Sequence, residues 1–241
     1  MEIIPAIDII DGQCVRLTQG DYDRKKVYDQ DPVAVAKRFE ALGIRRLHLV
    51  DLDGARSKKI INHAVLAAIT RETALTIDFG GGIKSEADVT LALASGAQQI
   101  TVGTLAVKNR PLVLEWLERY GADRIILGAD VKAGRIAVSG WREESAFDLF
   151  DFLDDYHRAG IRYVICTDIA KDGLLRGPAI ELYRQIRQRF PELQLIASGG
   201  VTTLADLEAL AALGCSGAIV GKALYEGTIP LKELTNFIAS C

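Results

Sequence analysis

The chain has 241 residues, 49% of them apolar and 25% charged, with a formal net charge of −3. This is an ordinary soluble balance with ample material for a core; the weak negative charge argues against general nucleic-acid affinity, which needs clustered basic surface, and no apolar stretch approaches the ~20 residues of a membrane span. Cys14, Cys166, Cys215 and Cys241 show no Cys-x-x-Cys spacing and no secretory segment precedes the first strand, so reduced thiols in a cytoplasmic protein are expected.

Short β-branched runs alternate with helical patterns along the chain. The first strand, residues 3–8, ends on Asp8 and opens into a long connection, 9–31, carrying the basic run Arg24-Lys25-Lys26, read as a solvated lid. A helix over 32–42 stops at Gly43 and strand 46–51 follows. Strand 75–79 runs into Gly80-Gly81-Gly82 and a helix over 85–94 that Ser85 caps, with Asp88 in the capping-box position, before Gly96. Strand 99–102 and helix 111–120, stopped by Gly121, complete the first half. Strand 125–130 then ends on Asp130 and a second long connection, 131–145, precedes a helix over 146–158 and Gly160. Strand 163–167 leads through a third long connection, 168–177, to helix 178–190. Strand 194–197 meets Gly199-Gly200 and a helix over 203–213 capped by Thr203 and Asp206, Gly214 ends it, and strand 218–220 closes the series.

The second half repeats the first. Gly81 to Asp88 answers Gly199 to Asp206, Val102-Gly103-Thr104 answers Val220-Gly221-Lys222, and Asp8 with Gly12 answers Asp130 with Gly134. Eight strand and helix units with a halfway repeat predict a (β/α)8 barrel, a TIM barrel, as one domain of half-barrels 1–122 and 123–241. The active site of that fold lies at the C-terminal strand ends, where the three long connections make plausible lids.

Asp8 and Asp130 end the first and fifth strands, which lie opposite each other in an eight-stranded barrel. Two carboxylates facing across a bound substrate can divide the work of general acid and general base, whereas an isolated strand-end Asp caps backbone amides, as Asp51 and Asp168 are read to do. Gly81, Gly82 and Gly103 on one side and Gly199, Gly200 and Gly221 on the other let backbone amides approach an anion at helix N-termini. Two such cradles half a turn apart suit a ligand with a phosphate at each end, with Thr104, Ser198 and Lys222 adding side-chain contacts; the bland alternative is that these glycines only permit tight turns. Trp141, in the polar loop Ser139-Gly140-Trp141-Arg142, is placed to stack on a planar heterocycle or to pack on the rim. His48, His63 and His157 show no metal-ligand or nucleophile spacing and are read as satisfied or surface residues, so no metal is expected.

The stretches Ile4-Pro5-Ala6-Ile7-Asp8, Val15-Arg16-Leu17, Gln19-Gly20, Val50-Asp51-Leu52-Asp53-Gly54-Ala55, Gly140-Trp141, Thr167-Asp168-Ile169, Asp172-Gly173 and Val220-Gly221-Lys222-Ala223-Leu224-Tyr225 together resemble the ProFAR isomerases of histidine biosynthesis over essentially the whole chain. The resemblance implies an Amadori rearrangement of a substrate with a phosphate on each ribose, without cofactor or metal. It implies Asp8 as the base that takes the proton from the second carbon of the opened ribose. Asp130 is then the acid that opens the furanose, Thr167 supports it, and Arg16 joins the substrate-binding residues. A monomer without nucleic-acid or membrane partners is expected.

Three relatives stand near this reading. The cyclase subunit of imidazole glycerol phosphate synthase shares the aspartate pair but carries a lysine soon after its first strand, where this chain has Val15-Arg16-Leu17. A bifunctional isomerase that also takes phosphoribosylanthranilate carries an extra arginine just before the Gly-Trp pair, where this chain has Ser139. Dedicated phosphoribosylanthranilate isomerases have cysteine in place of Asp8. Outside the family stand a non-catalytic phosphate-sugar sensor, which has no use for facing aspartates, and a Schiff-base aldolase using Lys132, Lys171 or Lys222, which borohydride would trap.

Overall fold

The computed structural model describes residues 1–18 and 20–240; Gln19 and Cys241 lie outside the described residues. In chain order the strands are β1 (Glu2–Ile10), β2 (Gln13–Thr18), β3 (Asp21–Asp29), β4 (Arg46–Asp51), β5 (Thr76–Gly80), β6 (Gln99–Val102), β7 (Ile125–Lys132), β8 (Arg135–Val138), β9 (Glu143–Asp148), β10 (Tyr163–Asp168), β11 (Gln194–Ser198) and β12 (Gly217–Val220). Eight of them, in the order β1, β4, β5, β6, β7, β10, β11, β12 and back to β1, pair in parallel and close a barrel with helices outside it. All eight expected strands are present, and the (β/α)8 barrel is the observed fold.

Parallel strands covered on both faces read as unbroken apolar runs, and Ile3, Ile4, Ala6, Ile7 and Ile9 of β1 are all buried. Alternation sends Ile7, Leu49, Ile77 and Phe79 outward into a core shared with the helices. Ile4, Ala6, Ile126, Ile165, Ile196 and Ile219 point inward as a separate cluster inside the barrel. Asp8 and Asp130 share the inward parity of Ile4 and Ile126 and follow them toward the mouth.

Two of the three long connections are not loops. β1 continues past Asp8, turns through Asp11 and Gly12 at φ 52° and 73°, and pairs antiparallel with β2, which pairs with β3. β7 likewise turns through Ala133 and Gly134 at φ 48° and 81° into β8 and β9. Two successive left-handed residues make the tight hairpin turn whose twist matches the flanking strands, and Asp-Gly is its standard sequence signal. The basic run Arg24-Lys25-Lys26 therefore lies on β3, where Lys26 pairs with Glu226 at 2.7 Å. The helix expected from residue 146 starts later, as Leu149–Arg158, because 146–148 finish β9 and the Asp148 carboxylate caps the helix by accepting from the Phe150 and Asp151 amides.

Both expected capping boxes are present: Ser85 and Asp88 begin helix Glu86–Ala94, and Thr203 and Asp206 begin helix Leu204–Ala212. Ser85→Ala or Thr203→Ala should each cost about 1 kcal/mol, read as a lowered urea midpoint with unchanged slope. Cys14, Cys166 and Cys215 are buried free thiols, and burial raises the pKa of each. No helix among the described residues is long and apolar enough to cross a membrane.

Candidate active site

β7 is the fourth strand round the ring from β1 in either direction, so Asp8 and Asp130 face each other across the barrel mouth. Their surroundings differ. Arg16, on the hairpin strand β2, donates from Nη1 to Asp8 Oδ2 at 3.0 Å, and its Nη2 lies 4.0 Å from Asp172 Oδ1. Its guanidinium rests against Gly221, where a Cβ would stand 2.5 Å from Nη2 and displace it. Asp8 therefore has a cation in direct contact, in a setting where the charge is poorly screened by water.

Asp130 has no such partner among the described residues. Thr167, its register neighbour on β10, and Trp141 are close enough for their side-chain donors to favour its charged form. Burial raises its pKa, and these two donors and the more distant His48 oppose the rise without cancelling it. The repeat makes the difference explicit. At the spacing that relates Asp8 to Asp130, Arg16 corresponds to buried Val138; at the pairing register, Thr167 beside Asp130 corresponds to Val50 beside Asp8. Desolvation favours a carboxyl that keeps its proton, so burial pushes Asp130 upward while Asp8 holds a guanidinium in direct contact.

Gly81 and Gly82 after β5, and Gly199 and Gly200 after β11, all have φ between 84° and 92°. A Cβ on Gly81 would lie 2.1 Å from the Asp51 carbonyl, and one on Gly200 2.3 Å from that of Gly177. Packing of each turn on its neighbouring loop therefore requires these glycines independently of any ligand. Beside the second pair a small cavity is lined by Arg16, Asp172, Gly199, Gly200, Gly221 and Lys222. Lys222 starts a short helix and donates from Nζ to the Gly173 carbonyl at 3.0 Å, which ties the loop after β10 to the cavity wall. Ser198 is buried at the end of β11 beside Thr167 and does not line the cavity; its carbonyl accepts from Tyr183 Oη at 2.6 Å.

At the opposite cradle, Gly103 precedes the helix Thr104–Lys108, and Thr104 Oγ1 accepts the Ser139 amide at 2.9 Å, bringing in the β8–β9 hairpin. Lys84, two residues past Gly82, has its pKa lowered by burial first and then by Lys108 and Lys58. The three lysines bring positive charge to this end of the site, part of it met by Glu143, which pairs with Lys108 at 3.2 Å. None was singled out from the sequence, although Lys84 stands two residues past the glycine motif.

The tips of the two hairpins meet over the mouth. The Trp141 ring covers Gly20 so closely that a Cβ there would fall 2.9 Å from Cε3, and Ser139, Gly140 and Trp141 are all left-handed at φ 58°, 66° and 68°. For a bulky residue this is strained backbone of the kind held only where the surroundings enforce it. An open cleft lies beside it, lined by Gly20, Tyr22, Arg56, Trp141 and Arg142. Trp141→Phe keeps the ring but removes the N–H given to Asp130, and should lower turnover about tenfold with little change in stability, as steady-state kinetics and thermal melting would read.

Asp51, expected as a cap, accepts from the amides of Gly54, Ile61 and Asn62. His63 and His157 lie on helices as expected. His48 does not fit the bland reading so simply: its Nδ1 pairs with the fully buried Asp78, and its ring lies within the electrostatic reach of both Asp8 and Asp130.

A family model described as "Histidine biosynthesis protein" matches residues 2–230. Among curated proteins the chain is 59% identical over 238 residues to one from Bacteroides thetaiotaomicron, covering 99% of this chain and 100% of that protein. It is 58% identical over 238 residues to one from Flavobacterium johnsoniae, covering 99% of each. One from Cytophaga hutchinsonii is 55% identical over 239 residues, covering 99% of this chain and all of that protein. Each of the three is named a 1-(5-phosphoribosyl)-5-((5-phosphoribosylamino)methylideneamino) imidazole-4-carboxamide isomerase, or ProFAR isomerase.

Proposed function

The chain belongs to the histidine biosynthesis protein family and is an isomerase; on that premise we propose that it converts ProFAR to its phosphoribulosyl isomer by acid–base catalysis between Asp130 and Asp8. The observation that carries the reading is the unequal setting of two symmetry-related carboxylates, one bonded to Arg16 and the other, with no ion pair among the described residues, pushed upward by burial. Asp130 gives its proton to the ribose ring oxygen, the furanose opens, and a Schiff base forms at the first carbon. Asp8 then removes the proton from the second carbon, and the resulting enolamine tautomerises to the ketose. Every electron pair moves within the substrate, so the rearrangement is redox-neutral and asks only for proton transfer.

The cradle of Gly199, Gly200, Gly221 and Lys222 and that of Gly81, Gly82, Gly103 and Thr104 hold the two terminal phosphates, Lys84 supplying charge to the second. Gripping both ends spends remote binding energy on placing the central ribose between the carboxylates. Trp141 stands over that position as part of the lid. Each barrel carries a whole site, which supports a monomer acting on a small-molecule substrate.

Purified protein should turn over ProFAR with no metal or nucleotide added. Activity on ProFAR alone identifies a dedicated isomerase, and activity on phosphoribosylanthranilate as well identifies a bifunctional one. Tight binding of ProFAR without turnover would overturn the catalytic reading and favour a sensor.

A further inference from the structure

The barrel interior breaks the two-fold repeat below the aspartates. In the second half, Tyr163, Ile165, Ile196 and Ile219 fill the inner face, the three isoleucines buried in one apolar cluster. Their counterparts in the first half, by the same repeat register, are Arg46, His48, Asp78 and Thr101. Asp78, fully buried, pairs with His48 Nδ1 and accepts from Thr101 Oγ1 at 3.1 Å. Beneath it Arg46 bonds Gln99 and Glu2, and its Nε stands 3.9 Å from Asp78 Oδ2.

Packing does not ask for this column, since apolar residues fill the mirror positions and buried ionic groups add little net stability over well-packed apolar ones. Its upper end explains it better. His48 is paired with Ala6 of β1 on one side and Asp78 of β5 on the other, with its side chain 13% exposed. The charged groups acting on it are Asp78, Asp8 and Arg16, and it acts in turn on Asp130.

We propose that His48, clasped by Asp78, is a positioning residue for the isomerisation, giving Asp130 from below the favourable charge that its mate Asp8 receives directly from Arg16. This rests on the assignment of Asp130 as the acid. Burial disfavours the charged imidazole, but Asp78 outweighs it and the pKa of His48 is raised, so the ring keeps a proton on each nitrogen to higher pH than a free histidine. When Asp130 releases its proton to the ring oxygen, a carboxylate appears in a buried place; the imidazolium stabilises that charge without touching substrate. Neither His48 nor Asp78 reaches the phosphate cradles, so the effect belongs to the chemical step.

The test is steady-state kinetics of His48→Gln, Asp78→Asn and the double variant on ProFAR across pH, beside thermal melts. His48→Gln should lower kcat at least about tenfold with KM within about twofold, and should move the alkaline limb of the rate profile to higher pH, because Asp130 without the imidazolium holds its proton longer. The double variant should lose about as much as His48→Gln alone, since Asp78 acts through His48. A His48→Gln protein that melts like the parent with unchanged kcat and an unmoved limb overturns the proposal, as does a loss confined to KM. Should Asp78→Asn fail to fold, His48→Gln decides alone. Parent protein that does not turn over ProFAR overturns the functional reading and this inference together, whereas an active parent with indifferent variants overturns only the inference.

Discussion

Asp130→Asn is expected to lower kcat by about 10²- to 10⁴-fold, the span of a well-placed general acid or base, while affinity for a bis-phosphorylated ligand stays near that of the parent. Asp8→Asn should do the same, and the double variant should fall little further, because two groups that act in one proton relay do not contribute additively. The two single variants part company in stability. The pKa of Asp130 is raised by burial, so the folded state binds a proton that the unfolded chain releases. Stability from this group is fully present below the unfolded pKa of about 3.9 and is lost as pH rises through the folded value. Asparagine cannot ionise, so Asp130→Asn should melt at or above the parent temperature at pH 8. Asp8→Asn removes the contact partner of Arg16 and should melt below it. Near-parental kcat in either variant would remove the acid–base mechanism; a melting order opposite to this one would remove the account of why the two carboxylates differ.

What the sequence disclosed was whatever repeats or alternates. The strand runs, the Ser85 and Thr203 caps and the pairing of Asp8 with Asp130 could be read because each is a local pattern or appears twice. The hairpins were hidden, although Asp11-Gly12 is a turn signal, because β3 is largely exposed and its charged residues do not alternate as a half-buried strand does. Ala133 in a left-handed turn gives no signal at all. The physical difference between the settings of Asp8 and Asp130 was not visible in the residue pattern either. Arg16 reaches Asp8 only because β2 folds back on β1, and His48 meets Asp78 only through strand register across 30 residues. Repeat logic emphasises what the halves share, whereas the settings of the two aspartates are set by where they differ: Arg16 against Val138, Thr167 against Val50, His48 against Ile165.

Arg16→Met should be the most damaging substitution outside the aspartate pair, both to turnover and to stability. The guanidinium is desolvated and lies between Asp8 and Asp172, each of which favours its charged form. Asp172 already has its pKa raised by burial, with Arg16 the chief influence opposing that rise. Methionine fills much of the volume but leaves two buried carboxylates with no cation in contact, a loss worth about 3–5 kcal/mol when one member of a buried pair is removed. Asp8 loses the contact that holds it, and Asp172, whose pKa burial already raises, loses the chief influence opposing that rise and alters the cavity wall when it takes up a proton. Under the proposed mechanism turnover should therefore fall at least about a hundredfold, and the fall should be partly recovered at higher pH, where Asp172 regains its charge. Arg16→Lys should lie between, keeping a cation for Asp8 but losing the second arm that faces Asp172. Gly221→Ala tests the same geometry from the other side, since its methyl group would stand 2.5 Å from Nη2 and push the guanidinium off Asp8. Melting temperature and the pH profile of kcat for the three variants check the argument together, and an Arg16→Met protein with parental kcat and melting temperature would show that the ion pair neither holds the base nor supports the fold.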